Sequence, residues 1–222
     1  MNFGRWHAGF LQQGLMASRK QRGFSLLELM ITISISLIIA GVGYMSLRPL
    51  LYQSHVNTAY DTTLMTLRNT RNLAITQSLQ YVVTFNAGPP GTIQIQVQPG
   101  PVGGVAQPIQ QVMTYTLPAD VSFAVQAGFP VAAPDGFGAG ATALDFESTA
   151  APGVPLNPAT VVFMPDGSAQ DTNRNLNNGV VYLTQPNKSI YTSRAVTVWG
   201  ATGRVRGWRL NSVAGTNTWV QQ

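Results

Sequence analysis

The sequence predicts an α+β protein, in which one long N-terminal helix packs through its second half against antiparallel β-sheets. Three observations predict it. From Phe24 to Leu47 the chain runs for 24 residues with a single charge, Glu28, and a membrane span needs about 20 apolar residues. Next, Val56, Tyr60, Leu64, Leu67, Arg71, Ala74 and Ser78 recur at steps of three and four, which is the spacing of one helical face. Beyond residue 80 the chain breaks into short β-branched runs separated by turn formers.

Composition narrows the class. The 222 residues leave room for one membrane-associated segment and one globular domain of ordinary size. With no cysteine, disulfides, thiol catalysis and Cys-based metal sites are excluded. The formal charge of +5 is unevenly divided. Four of the 13 basic residues (Arg5, Arg19, Lys20, Arg22) precede the apolar run. Between Asn72 and Asp166 there is no Lys or Arg, but there are five acids: Asp120, Asp135, Asp145, Glu147 and Asp166. From Gly167 onward there are six basic residues and one acid, Asp171. The body is thus acidic in its middle and basic at its C-terminal end.

The N-terminal run admits three readings on its residues alone. Basic residues before an apolar stretch keep that side in the cytoplasm and send the rest outward. A cleaved secretory signal shares this pattern, but its apolar core is usually 7–15 residues, shorter than the run here. A plain single-pass anchor explains the length but not Glu28. A charge inside such a helix costs roughly 2.5–3.5 kcal/mol on insertion scales and generally marks a function.

The stretch "RGFSLLELMITISI" resembles the class III signal of type IV pilins and type II secretion pseudopilins. The resemblance implies cleavage between Gly23 and Phe24 by a prepilin peptidase at the inner membrane, followed by N-methylation of Phe24. Residues 1–23 would then be a basic leader. Met16 would start an alternative leader, "MASRKQRG", closer to the usual length in the family. The resemblance also implies that Glu28 meets the terminal amine of a neighbouring subunit inside a filament. Such a pair attracts strongly at low dielectric, but desolvation cancels much of the gain, so Glu28 would set axial register more than it adds stability.

The remaining elements follow in order. Residues 24–48 form the membrane-spanning and filament-core half of the helix, and residues 49–80 its amphipathic half. Pro49 is expected to mark a kink or boundary, because proline removes a backbone donor. If helix runs from Phe24 to about Leu79, it is roughly 85 Å long. Strands are expected at 81–85, 92–97, 111–116, 121–125, 160–164, 180–184, 195–199 and 203–210, together making a β-rich headgroup over 81–222. The Gly/Pro/Ala-rich stretch 128–158 reads as long loops.

"TLRNTRNLAITQSLQYVVTF", "VVFMPDGSA" and "VTVWGATGRVRGWRL" together resemble the GspH/FimT group of minor pilins and minor pseudopilins. Leu73 departs from the group, whose members often carry Glu there. The resemblance implies partnership with other pilins or pseudopilins, and a headgroup in the periplasm held by the inner membrane.

Enzymatic readings fare badly. His7 falls in the leader and His55 on the juxtamembrane helix, so neither joins a triad carried by the domain. Asp145 and Glu147 in "LDFES" read as solvated strand carboxylates rather than a catalytic pair. "GFGAG" (136–140) lacks the lysine and helix of a phosphate loop. Asp171, Asn173 and Asn175 open like a calcium loop, but Leu176 stands where glycine is needed and Tyr182 where the bidentate glutamate belongs. No cofactor, metal or small-molecule substrate is implied. One basic constellation remains: Lys188, Arg194, Arg204, Arg206 and Arg209. Arg204 and Arg206 alternate on a strand and share a face. Arg209 lies opposite them, unless Gly207 makes a bulge. Spaced cations beside Trp199, Trp208 or Trp219 would suit phosphates and bases, and in FimT-type pilins the Gly-Arg-x-Arg segment is linked to DNA uptake. The bland alternative is a hairpin with exposed arginines, or an inter-subunit salt bridge.

Overall fold

The computed structural model describes residues 23–88, 90–105, 107–138, 142–148 and 159–222. Residues 1–22 of the expected leader (1–23) lie outside the described residues, as do the side chains of Arg48, Pro49, Glu147 and Ser148. The chain divides into two compact units, Met1–Ser46 and Leu47–Gln222.

Helix α1 spans Leu26–Gln77. It does not stop at Pro49, because a proline forfeits a single i→i−4 bond and the ladder resumes beyond it. Ser78, at φ 54, ends the helix in the left-handed conformation common just past a helix C-terminus. In the first unit, residues from Phe24 to Met45 are exposed, including Phe24, Leu26 and Ile38. In the second unit α1 buries Val56, Ala59, Tyr60, Thr63, Leu64, Leu67, Thr70 and Ala74, matching most of the expected stripe. Two of its buried threonines satisfy themselves: Thr63 Oγ1 donates to the Ala59 carbonyl at 2.8 Å and Thr70 Oγ1 to that of Thr66 at 2.7 Å.

Two antiparallel sheets accompany the helix. The first has strand order β3-β2-β1-β6-β7, built from β1 (Gln80–Asn86), β2 (Thr92–Gln98), β3 (Gln110–Thr116), β6 (Thr160–Phe163) and β7 (Ala169–Gln170). Strict alternation in β1 and β2 turns Tyr81, Val83, Phe85, Ile93, Ile95 and Val97 inward. The second sheet runs β11-β10-β9-β8-β4, from β4 (Ser122–Phe123), β8 (Asn177–Thr184), β9 (Arg194–Trp199), β10 (Arg204–Val213) and β11 (Thr216–Gln221). Strand β5 (Leu144–Ser148) shares the far edge of β8 with β4, so the stretch read as loops over 128–158 holds a strand.

Core packing joins α1 to both sheets. Phe85 stacks on Phe146 at 5.8 Å and meets Phe123 edge-on at 5.5 Å, within a cluster that includes Leu67, Phe163, Leu183 and Val196. The second sheet is covered on its other face too. There Val180, Tyr182 and Ala195 pack with Val125, Phe129, Trp208 and Trp219, which explains why β8 and β9 are buried almost throughout. At Gly207 the sheet lies tight against the helix: a Cβ there would run into the ring and hydroxyl of Tyr60.

Candidate functional site

Two regions carry the sequence-predicted residues, and the first is the N-terminal segment. Gly23 and Phe24 precede α1, with Phe24 exposed. Glu28 stands in the first turn of the helix, where the positive end of the helix dipole favours a carboxylate. The hydroxyls around it are turned onto the helix's own backbone. Thr32 Oγ1 donates to the Leu29 carbonyl at 2.9 Å, Ser34 Oγ to Met30 at 2.8 Å and Ser36 Oγ to Thr32 at 2.7 Å. Satisfied in this way, they place no unmet polar group in an apolar surrounding, and Glu28 stands out as the charge there. This is one helix long and apolar enough to cross a membrane.

The second region is the basic end, which the structure takes apart. Strand β10 pairs with β9 without a shift, Arg204 opposite Trp199 and Arg209 opposite Arg194. No bulge forms at Gly207. Arg206 and Trp208 therefore face the outer cluster, while Val205, Gly207 and Arg209 face the helix side. Arg206 is not a free cation: its Nη1 donates to Asp135 Oδ1 at 2.6 Å, with both side chains largely covered (23% and 12% exposed). Asp135 Oδ2 also accepts from Thr197 Oγ1 at 2.7 Å, and Thr197 in turn accepts from Trp208 Nε1 at 3.0 Å.

Arg194 is buried and structural. Its guanidinium donates to the Thr192 carbonyl at 2.9 Å, the Ser193 carbonyl at 3.1 Å and Asn57 Oδ1 at 2.9 Å. Burial, and then the nearby Arg209 charge, lower its pKa from the ordinary arginine value. Lys188 sits over the Tyr52 ring at 3.9 Å, a cation–π contact. Arg204 and Arg209 remain exposed. Of the five candidate cations, the register brings only Arg194 and Arg209 side by side.

Sequence reasoning missed a different convergence. Arg71 Nε on α1 donates to the Gly167 carbonyl at 3.1 Å and to the Thr202 carbonyl at 3.0 Å. Gly167 belongs to the "PDG" turn between β6 and β7, and Thr202 to the turn between β9 and β10. One helix side chain thus holds a turn of each sheet. Gly203, at φ 61, makes this approach feasible, because a Cβ there would collide with the Gly167 carbonyl and Arg71. The signal was present in the sequence: the three stretches quoted for their resemblance are the three that meet here.

Other candidates resolve to structure. His55 Nδ1 lies 2.8 Å and 2.9 Å from the two oxygens of Asp120, whose Oδ2 also accepts from Gln185 Nε2 at 2.6 Å. Asp171 accepts from the backbone N–H groups of Asn173 and Asn175, each at 2.8 Å, so its carboxylate closes its own loop. Among the described residues no group of three or more His, Cys, Asp or Glu could hold a metal ion.

Comparison with known proteins gives one finding. The prokaryotic N-terminal methylation motif matches residues 18–44. No curated protein and no solved structure matches the chain. The motif marks a structural family rather than an enzymatic one, and with the apolar helix it fits inner-membrane anchoring and pilus assembly. Over residues 18–44 the chain therefore carries the N-terminal methylation motif, the signal of type IV pilin-like proteins.

Proposed function

We propose that the protein is a minor pilin or minor pseudopilin of the GspH/FimT group, which takes part in assembly, priming or the tip of a type IV pilus or type II secretion pseudopilus. One observation carries the reading: the methylation motif at 18–44 covers most of an exposed apolar stretch, Phe24–Leu47, whose lone charge is Glu28. Prepilin peptidase cleaves between Gly23 and Phe24, the headgroup faces the periplasm, and the helix joins other pilins. Glu28 pairs with a neighbour's terminal amine and fixes register. The test is Glu28→Ala. Insertion and cleavage persist, eased by loss of the charge penalty, while incorporation into filaments falls. Normal incorporation of the Ala variant would refute the assembly role.

A second reading, a DNA-binding minor pilin in natural transformation, is favoured by Arg204 and Arg209 remaining exposed on β10. It predicts duplex binding that weakens steeply with salt as counterions are released.

A further inference from the structure

A groove of about 520 Å³ opens between α1 and the turn that enters β10, lined by Arg68, Arg71, Thr202, Gly203 and Arg204 among others. Arg68 and Arg71 stand three residues apart on α1, so they are neighbours on one helix face. Among the described residues no carboxylate lies within ion-pair distance of Arg68, Arg71 or Arg204. Arg71 spends its Nε on two neutral carbonyls, and Arg68 makes one long bond, 3.4 Å from its Nη2 to the Val205 carbonyl. The nearest acid in sequence to the clasped turn, Asp166, is directed elsewhere: its Oδ1 accepts from Ser168 N at 2.8 Å and Ser168 Oγ at 2.7 Å. Three uncompensated guanidiniums around one recess are an anion site.

We propose that this groove docks an acidic segment of a neighbouring filament subunit, with at least two carboxylates set against Arg68, Arg71 and Arg204. Compactness favours carboxylates over a nucleic acid. Duplex affinity accumulates over several phosphates spread along the helix, and here the strand leading away from the groove offers no such track. The next cation along β10, Arg206, is held by Asp135, Arg194 and Lys188 are engaged within the domain, and the exposed Arg209 lies on the opposite face of the strand from Arg204. The groove is also pre-formed: the Arg71 bonds and the positive φ of Gly203 fix both its walls without a ligand, which lowers the ordering cost of docking. The inference names the partner chemistry and rests on the filament-subunit reading.

The experiment titrates fluorescein-labelled hexaglutamate against the full chain in neutral detergent, with a labelled duplex oligonucleotide in parallel at the same salt. Arg68→Glu and Arg204→Glu should each weaken hexaglutamate binding by about tenfold or more, as loss of a charge-assisted contact does. Arg209→Glu, an equal charge change at the far end of the β9–β10 pairing, should leave it unchanged. Arg68→Gln and Arg204→Gln repeat the measurement with less perturbation, and circular dichroism checks the fold. Absence of hexaglutamate binding, equal weakening by Arg209→Glu, or tighter binding of the duplex with the same arginine dependence would each overturn the proposal. The filament reading is scored separately by incorporation of Glu28→Ala, so either can fail alone.

Discussion

Arg206 Nη1 donates to Asp135 Oδ1 at 2.6 Å across 71 positions of sequence, and the pair ties the segment around Pro134–Gly136 to the outer face of β10. The alternative of a hairpin with exposed arginines implies that charge reversal at Arg206 costs little stability. The ion pair corrects that expectation. Asp135→Ala leaves Arg206 and Thr197 without their acceptor and should destabilise the domain by about 1–3 kcal/mol. Arg206→Glu should lower the urea midpoint as well, whereas Arg204→Glu, at an exposed position, should move stability by no more than about 0.5 kcal/mol. Denaturation followed by circular dichroism orders the three.

Gly207 gives a second prediction. Any side chain there meets Tyr60, which is itself buried (7% exposed). Gly207→Ala should therefore cost about 1–3 kcal/mol, the usual penalty of overpacking. Part of the loss should return in the Tyr60→Phe background, because the hydroxyl is the atom nearest the added methyl. A double-mutant cycle measures the coupling, and strict additivity would count against the contact.

Acid sensitivity at the "PDG" turn is the third. Hydrogen bonds from the Ser168 hydroxyl and backbone hold the Asp166 carboxyl below its ordinary pKa. A depressed pKa contributes stability that is present above the unfolded value, about 3.9, and that fades as pH falls through the folded value. Asp166→Asn should therefore be less stable than wild type at neutral pH, with the gap closing in strong acid. Denaturation midpoints at the two extremes decide it.

Processing supplies the fourth. Gly23→Glu should block cleavage and leave the leader attached, which intact mass on membrane extracts reads directly. A mature chain beginning after Ala40 or Gly43 would identify an ordinary secretory signal instead and remove the basis for filament assembly.

Much of the architecture was legible because it is local. The stripe from Val56 to Ala74 and the alternation of "YVVTF" and "TIQIQV" announce their elements, and the processing motif is contiguous. What stayed hidden is long-range or atypical. Strand β11 escaped because its hairpin turns through Ala214 and Gly215, both at positive φ, and Ala carries no turn signal. Strand β5 escaped inside a Gly/Pro/Ala-rich stretch, since its partner β8 lies beyond the next two strands in the chain. The sorting of the basic residues depends on neighbours such as Asp135 and Asn57 that no spacing rule places. Leu73, where the group often carries Glu, is half-buried against the core, which fits an apolar side chain at that point.

The Arg71 clasp has a consequence for how the headgroup withstands its surroundings. Both acceptors are peptide carbonyls, which never titrate, and the donor is a guanidinium, which keeps its proton at any pH a cell meets. An ion pair in the same place would loosen in acid and weaken in brine. Bonds from a permanent cation to neutral carbonyls lack the acid dependence and feel dissolved ions far less. At the joint that gathers helix and both sheets, the Arg71 bonds themselves therefore answer little to the medium.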